Sequence, residues 1–554
     1  MKKSFIYLLL SACVCIGCIN NDIPYPVVVP NITSMTVQDA VKVDIDYDAR
    51  EVTVYVSETT DLKKVVIQSV EIDVDFAGTS MGLVGTHDLS KPLTFDITTY
   101  QSYQWTIKAV RPVERYFTVE GQVGTSEIDE YNCRVIAMVS EGTDISDLTV
   151  TSFKLGPKDV TIYSLEPEQM KDFSEGLEVD VTAFGEKQTW TIYVEESQIS
   201  VEISKVNPWT SSAYVTAMAA AGRNTVFQYR EKGTSDWIEV GAEDVTSDGG
   251  TFMAHIKGLE PVTDYQVMVS SGDDKTPVSE FTTAPATKIP NGSFEYTSLV
   301  RGTNYYKFYD PSCGVEDGEF MFWGSGNGEG SEGVNGSAGM GIIITTVDKQ
   351  DKVDGKQSVC AQTSQMAGIL AAGNLFTGQF AGLVGTEGGK VNFGRPWTTR
   401  PVALKLYCKY ITSRIDIIGK KMPPGITLTN NDYDRAQIKV ALGTWDYRTY
   451  GGSKESPVHI NTTDASTFID YAKDKSTIAH GDLIIHKDGY IMNGSDMVDA
   501  STGEWAEYVI PLEYHDLDKL PTHIIVSCAA SQFGDYFTGC SSSKLWIDKV
   551  ELVY

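Results

Sequence analysis

Positive charge is scarce in this chain. Lys and Arg number 45 against 74 Asp and Glu, a formal net charge of -29 over 554 residues. Nucleic-acid backbones and anionic lipid surfaces are both bound through clustered Lys and Arg, so neither is expected as a partner. Neutral and cationic ligands remain. Long apolar runs are missing beyond the leader, so no later segment is expected to span a bilayer. Helical periodicity is hard to find. No pair among the six cysteines that follow the leader has Cys-x-x-Cys spacing, which argues against a zinc site. The 7 His residues include no His-Glu-x-x-His. Glu-x-Asp-x-x-Glu is absent too. A glycosidase needs two carboxylates facing one bond, but so many acidic residues always offer some pair, so counting selects none.

What is present begins with a processing segment. Lys2 and Lys3 precede an apolar run, Phe5 to Val14, that is too short to cross a membrane. Residues 1–18 are read as a lipoprotein signal peptide, with Ile16-Gly17-Cys18 ending the lipobox and Cys18 the lipidated residue. Leu10-Ser11-Ala12-Cys13 matches a lipobox better, but leaves an apolar run at or below the usual minimum of about seven residues. Residues 19–34 form a tether. Several acyl chains on one cysteine give a stable anchor, so the folded part is expected outside the inner membrane, on the outer membrane. The cell surface is the expected side, with the periplasmic face as the alternative, since Asp22 alone is a thin acidic export cue. Of the nine cysteines, Cys133, Cys313, Cys360, Cys408, Cys528 and Cys540 follow the leader. Export permits disulfides, and Cys528 with Cys540 would cross-link a short segment; buried free thiols are the equal alternative.

Strand patterns dominate the rest. Val52-Thr53-Val54-Tyr55-Val56 and Trp190-Thr191-Ile192-Tyr193-Val194 alternate apolar and polar residues. Val56-Ser57-Glu58-Thr59-Thr60-Asp61-Leu62 is echoed by Val139-Ser140-Glu141-Gly142-Thr143-Asp144-Ile145, and Trp105-Thr106-Ile107 by Trp190-Thr191-Ile192. Both offsets are a little over eighty residues, the size of an immunoglobulin-like sandwich. Two such domains are expected, at 35–121 and 122–205, with Trp105 and Trp190 in their cores. Residues 206–287 resemble a fibronectin type III domain, through Val226 to Arg230, Asp236 to Val240 and Gly258-Leu259-Glu260-Pro261-Val262-Thr263-Asp264-Tyr265. That resemblance implies a spacer, with the Tyr265 hydroxyl bonded back to the backbone.

From residue 288 onward the chain is rich in Gly, Asn and aromatics. Two tracts stand out, Phe320-Met321-Phe322-Trp323-Gly324-Ser325-Gly326-Asn327-Gly328 and Phe393-Gly394-Arg395-Pro396-Trp397-Thr398-Thr399-Arg400-Pro401. The opening Asn291-Gly292-Ser293-Phe294-Glu295 and the closing Ile547-Asp548-Lys549-Val550-Glu551-Leu552 resemble the end strands of jelly-roll carbohydrate-binding modules. That resemblance implies adjacent termini and, in some members, a structural calcium, for which Glu295 and Asp548 are the matching positions. Ordinary cap carboxylates are the alternative. Together with Ala371 to Gly378, Ala441-Leu442-Gly443-Thr444-Trp445 and Gly534 to Gly539, the region resembles the putative carbohydrate metabolism domain of exported lipoproteins in gut Bacteroides. The resemblance covers roughly the last 265 residues and supplies no catalytic residue.

The expected fold is therefore all-β: tandem immunoglobulin-like and fibronectin III-like sandwiches, then a jelly roll at 288–554. The expected function is glycan capture by a lipid-anchored protein, working beside an outer-membrane glycan importer. Trp323, Trp397, Trp445 and Tyr447 would stack on sugar CH faces, while Asn327, Asn374, Arg395 and Asp535 would bond hydroxyls. Each aromatic taken alone also fits core filling. A glycoside hydrolase on the same fold and a fimbria-like adhesin are the alternatives. No cofactor beyond a structural calcium is expected.

Overall fold

The computed structural model describes residues 26–554 except 141, 198–200, 221–222, 301, 310–321, 329–335, 367, 386, 421 and 424. The leader with Cys13 and Cys18, the start of the tether, Cys313, Phe320, Met321, Glu329 and Gly330 lie outside the described residues. Among the described residues no helix is long and apolar enough to cross a membrane.

Alternation builds the layers. In Glu51–Val56 every second residue is buried, so one face of the strand meets a core and the other meets solvent. The first domain packs a three-stranded sheet against a five-stranded one. Within the larger sheet, Glu51–Val56 runs parallel to Ser102–Val110. The second domain repeats that feature, with Arg134–Ser140 parallel to Glu186–Ser197. Trp105 and Trp190 are fully buried in the two cores. The sequence echo is thus an echo in topology. The third domain pairs two sheets built around Ser212–Ala219 and Asp264–Ser271. Here the Glu260 N–H donates to Tyr265 Oη at 2.9 Å, the corner bond expected of that tyrosine.

Specific polar contacts join the domains. Glu58 accepts from Lys154 Nζ at 2.8 Å, from the Lys158 N–H at 2.8 Å and from the Glu114 N–H at 3.2 Å. The Lys154 ammonium, aided by these N–H groups, lowers its pKa from the ordinary 4.5 to about 2. A lowered carboxylate pKa stabilises the fold above the ordinary value, and that stability fades as pH falls toward the folded pKa. Glu58→Gln is expected to cost about 1–2 kcal/mol near neutrality and to flatten the loss of stability between pH 4.5 and 2. Thermal unfolding across that range checks it.

At the junction of the third and last domains, the buried Arg400 guanidinium donates to Leu517 O at 2.6 Å, Asn207 Oδ1 at 2.9 Å and Pro208 O at 2.9 Å. It also lies over the Trp209 ring, 4.6 Å from the centroid. Lys475 Nζ lies 3.2 Å from Asp44 Oδ2, an ion pair between the first and last domains.

The last domain is a two-sheet sandwich. One sheet has the order Thr345–Asp348, Ser358–Gln362, Lys544–Val553, Ala403–Ile411, Ala506–Pro511. The other is larger, and runs through Val458–Asn461, Gly388–Phe393, Asn374–Val384, His523–Ala529, Ala436–Gly443 and Thr477–Ile485. Leu404, Leu406, Ile438, Val440, Val526 and Ile547 fill the space between them. The two ends meet, since the Val550 N–H donates to Gly292 O at 2.8 Å. Cys528 points into this core, while Cys540 Sγ sits 3.1 Å from Ser542 Oγ. Facing different surroundings, the two are free thiols rather than a cross-link. Burial pushes Cys528 up to about 12, so it stays a protonated thiol.

Candidate functional site

The tryptophans of the two Gly- and Trp-containing tracts prove to be packing. Trp323 is completely buried, its indole N–H donates to Pro290 O at 2.8 Å, and its ring meets Phe294 at 5.3 Å. Trp397 is buried against Phe322, centroids 6.4 Å apart. Arg395 is buried and donates to Phe322 O at 3.1 Å and Ser456 Oγ at 2.5 Å, with a further bond to Gly378 O. Asn327 is buried as well: its Nδ2 donates to Thr345 O at 2.6 Å and its Oδ1 accepts from the Ile344 N–H at 2.9 Å. Trp445 lies in a second apolar cluster and donates to Asp474 Oδ1 at 3.1 Å. Tyr447 is half-buried on the one-turn helix Tyr447–Tyr450, away from the cleft described next. None of these aromatic faces is presented to a sugar by the cleft. The glycine follows from the packing: a Cβ on Gly324 would lie 2.7 Å from Gly378 O.

The remaining two expected residues, Asn374 and Asp535, do come together. They line a cleft of about 250 Å³ on the outer face of the larger sheet. Strand parity explains its floor. Leu375 points into the inter-sheet core, so Asn374 and Phe376 on either side of it point outward. Ile524, Val526 and Cys528 likewise face the core and leave Ser527 and Ala529 in the cleft. Phe380 and Phe393 from neighbouring strands complete an aromatic wall, and Phe376 meets Phe393 edge-on at 5.2 Å. Phe537 joins from the far side in a left-handed conformation, φ 55°, which costs a bulky residue energy and is often found at functional sites.

Register extends a polar row from this wall. Phe376 pairs with Ser527, Ser527 with Lys439, and Lys439 with Asp482, side by side on four strands. Gln437 Nε2 donates to Asp482 Oδ1 at 2.8 Å. Burial pushes the Asp482 carboxyl above its ordinary range, against the pull of Lys439 and Gln437. Asp535 is raised in the same way and is again opposed by Lys439. Asp535 is nevertheless exposed to solvent, as expected of a group on a concave wall that protein crowds but does not seal. His480 and His515 stack nearby, with centroids 4.9 Å apart.

Behind the cleft, buried Asp434 holds both ends of the segment that carries Gln532, Asp535 and Phe537. Its Oδ2 accepts from Ser531 Oγ at 2.6 Å, the Cys540 N–H at 2.8 Å and Ser543 Oγ at 2.9 Å. Asp434, Lys439, Asp482, Gln532 and the four phenylalanines were not expected as site residues. The alternation in Asn374-Leu375-Phe376 was the signal that would have found Phe376 beside Asn374.

The calcium expectation fits poorly. Both Glu295 oxygens accept from the Lys356 N–H at 2.9 Å. Asp548 Oδ2 accepts from the Val353 N–H at 2.9 Å and its Oδ1 from the Lys549 N–H at 2.8 Å. N–H groups surround these carboxylates where calcium needs oxygen ligands. Among the described residues no group of three or more His, Cys, Asp or Glu is placed to hold a metal. The two residues cap the 353–356 loop.

With this geometry, comparison with known proteins is informative at the level of the last domain. Residues 293–553 match the family described as "Putative carbohydrate metabolism domain". This is the family that the motifs resemble, and it ties the region that holds the cleft to carbohydrate. No curated protein matches the chain. Among solved structures, a putative glycoside hydrolase from Bacteroides thetaiotaomicron is 17% identical, covering 79% of this chain and 95% of its own, with a TM-score of 0.29. A second putative glycoside hydrolase, from Bacteroides vulgatus, is 20% identical over 48% of this chain and 98% of its own, with a TM-score of 0.31. The I9–I11 tandem from titin is 10% identical over 45% of this chain and 100% of its own, with a TM-score of 0.12.

Proposed function

We propose that the cleft of the last domain binds glycan. The observation that carries this reading is the pairing of an aromatic wall, Phe376, Phe380 and Phe393, with the polar groups Asn374, Ser527, Gln532 and Asp535 in one concavity. Sugar rings have apolar CH faces and polar rims, and a site with both kinds of surface matches both. A glycan array probed with the full chain tests it. Phe380→Ala removes a half-buried ring from the wall and is expected to weaken binding about tenfold, or about 1.4 kcal/mol, with little change in melting temperature. Unchanged affinity in a folded variant would remove the cleft from consideration.

Hydrolysis is a second reading, favoured by Asp482 and Asp535, two carboxyls that burial raises and the charge of Lys439 opposes. A carboxyl that keeps its proton suits a general acid. Reducing sugar released by the full chain and abolished by Asp482→Asn would support it; release unaffected by that change would exclude this acid.

We further propose that Cys18 carries lipid and holds the protein on the outer membrane at the cell surface, beside a glycan importer. Lys2-Lys3, the short apolar run and Gly17-Cys18 support the anchor. Fatty-acid labelling is expected to disappear in Cys18→Ala, and labelling that persists until Cys13 is changed would move the site.

A further inference from the structure

The cleft is poor in cations. Among its described lining residues, Asp535 is the one charged side chain, and there is no Lys, Arg or His. Asp535 takes no hydrogen bond or ion pair from the protein among the described residues; the influences on it are burial and the charge of Lys439. Beside it, Gln532 Oε1 is buried with no hydrogen-bond partner. Two acceptors without donors therefore stand at one end of the cleft. Lys439 does not line the cleft, and the three acids within its reach, Asp470, Asp482 and Asp535, outnumber it.

The buried Gln532 Oε1, without a donor, costs free energy that a ligand recovers only by bringing an N–H or O–H, and the solvent-facing Asp535 beside it accepts from the same kinds of group. A ligand carboxylate or sulfate brings neither. It would lose its hydration against apolar walls and face an unpaired carboxylate, with no fixed cation to compensate.

Resting on the glycan reading above, we infer that the cleft selects sugars presenting hydrogen-bond donors without negative charge, namely neutral hexoses and free-amine hexosamines, and rejects uronic and sulfated glycans. Asp535 and Gln532 are the specificity-determining residues, each accepting from a ligand hydroxyl or ammonium.

The test uses glucan, mannan and galactan oligosaccharides of equal length, each in neutral form and oxidised at C6 to the uronate, with chitosan oligosaccharides as the amine arm. Titration of the full chain is expected to show binding to at least one neutral or amine ligand. Its anionic counterpart is expected to bind at least a hundredfold more weakly. Asp535→Asn is expected to narrow that gap about tenfold. The same change at Asp488, an exposed acid outside the cleft, is expected to leave it intact, which separates the cleft from the overall charge of -29. Uronates that bind as tightly as their neutral partners, or equal effects of the two substitutions, would overturn the selectivity while leaving glycan binding in place. Failure of every ligand to bind the folded chain would overturn both.

Discussion

Replacing Trp323 by alanine is expected to destabilise the last domain by about 3–5 kcal/mol while leaving the cleft's own contacts in place. The side chain is wholly buried, packs on Phe294 and Phe322, and donates its indole N–H to Pro290 O. Its removal leaves a large cavity and an unpaired carbonyl at the point where the chain enters the domain. Calorimetry of the full chain should show the corresponding transition fall by roughly 10 °C, on the scale that relates stability to melting temperature in domains of this size. Glycan affinity of the remaining folded fraction, measured at low temperature, should change little. The opposite pattern, lost binding at unchanged stability, would restore Trp323 as a ligand contact.

Asp434→Ala should also have a large effect, by another route. The carboxylate is 2% exposed and accepts from two hydroxyls and one backbone N–H at both ends of the segment Ser531 to Ser543, and also from the Arg435 N–H. Alanine leaves these donors buried without an acceptor, at about 1–3 kcal/mol for each that finds no substitute, so a total on the order of 3 kcal/mol is expected. Because Gln532, Asp535 and Phe537 ride on the segment, glycan affinity should fall together with stability, unlike the result for Trp323. Burial raises the Asp434 pKa despite these bonds. The folded state thus keeps a proton that the unfolded chain has released, and this group's contribution to stability declines as pH rises from 3.8 through the raised value. Glu58 acts in the opposite direction over the acid range, so the Glu58→Gln and Asp434→Asn variants should displace the pH profile of unfolding oppositely. A variant at 434 that keeps full affinity would show that the segment holds its shape without this anchor.

Much of the fold was legible in the chain. Period-two alternation places Val52, Val54 and Val56 on one face whatever packs above them, and the offset echo marks two copies of one sandwich. The Tyr265 corner was legible because its partner is only five residues away. The site was less so. Each Gly-flanked tryptophan reads as core before it reads as a platform, and the set stays open because local sequence does not say which face of a sheet a second sheet will cover. Trp323 and Trp397 landed on the covered side. The aromatic wall came instead from Phe376, Phe380 and Phe393, whose faces alternation defines but whose neighbours it does not.

Sequence alone determined the strand-built architecture, the repeat of the first two domains, the acidic balance, and the resemblance of the last domain to a carbohydrate family. These depend on local pattern, on composition and on motif order. Tertiary structure alone decided the cleft. Asn374 meets Ala529 and Phe376 meets Ser527 across a sheet that joins segments about 150 residues apart, and a one-residue change of register would turn each of them into the core. Asp535 reaches the same concavity because Asp434 ties down the segment that carries it. Such pairings are set by long-range hydrogen bonds and packing, which no local window of the chain contains.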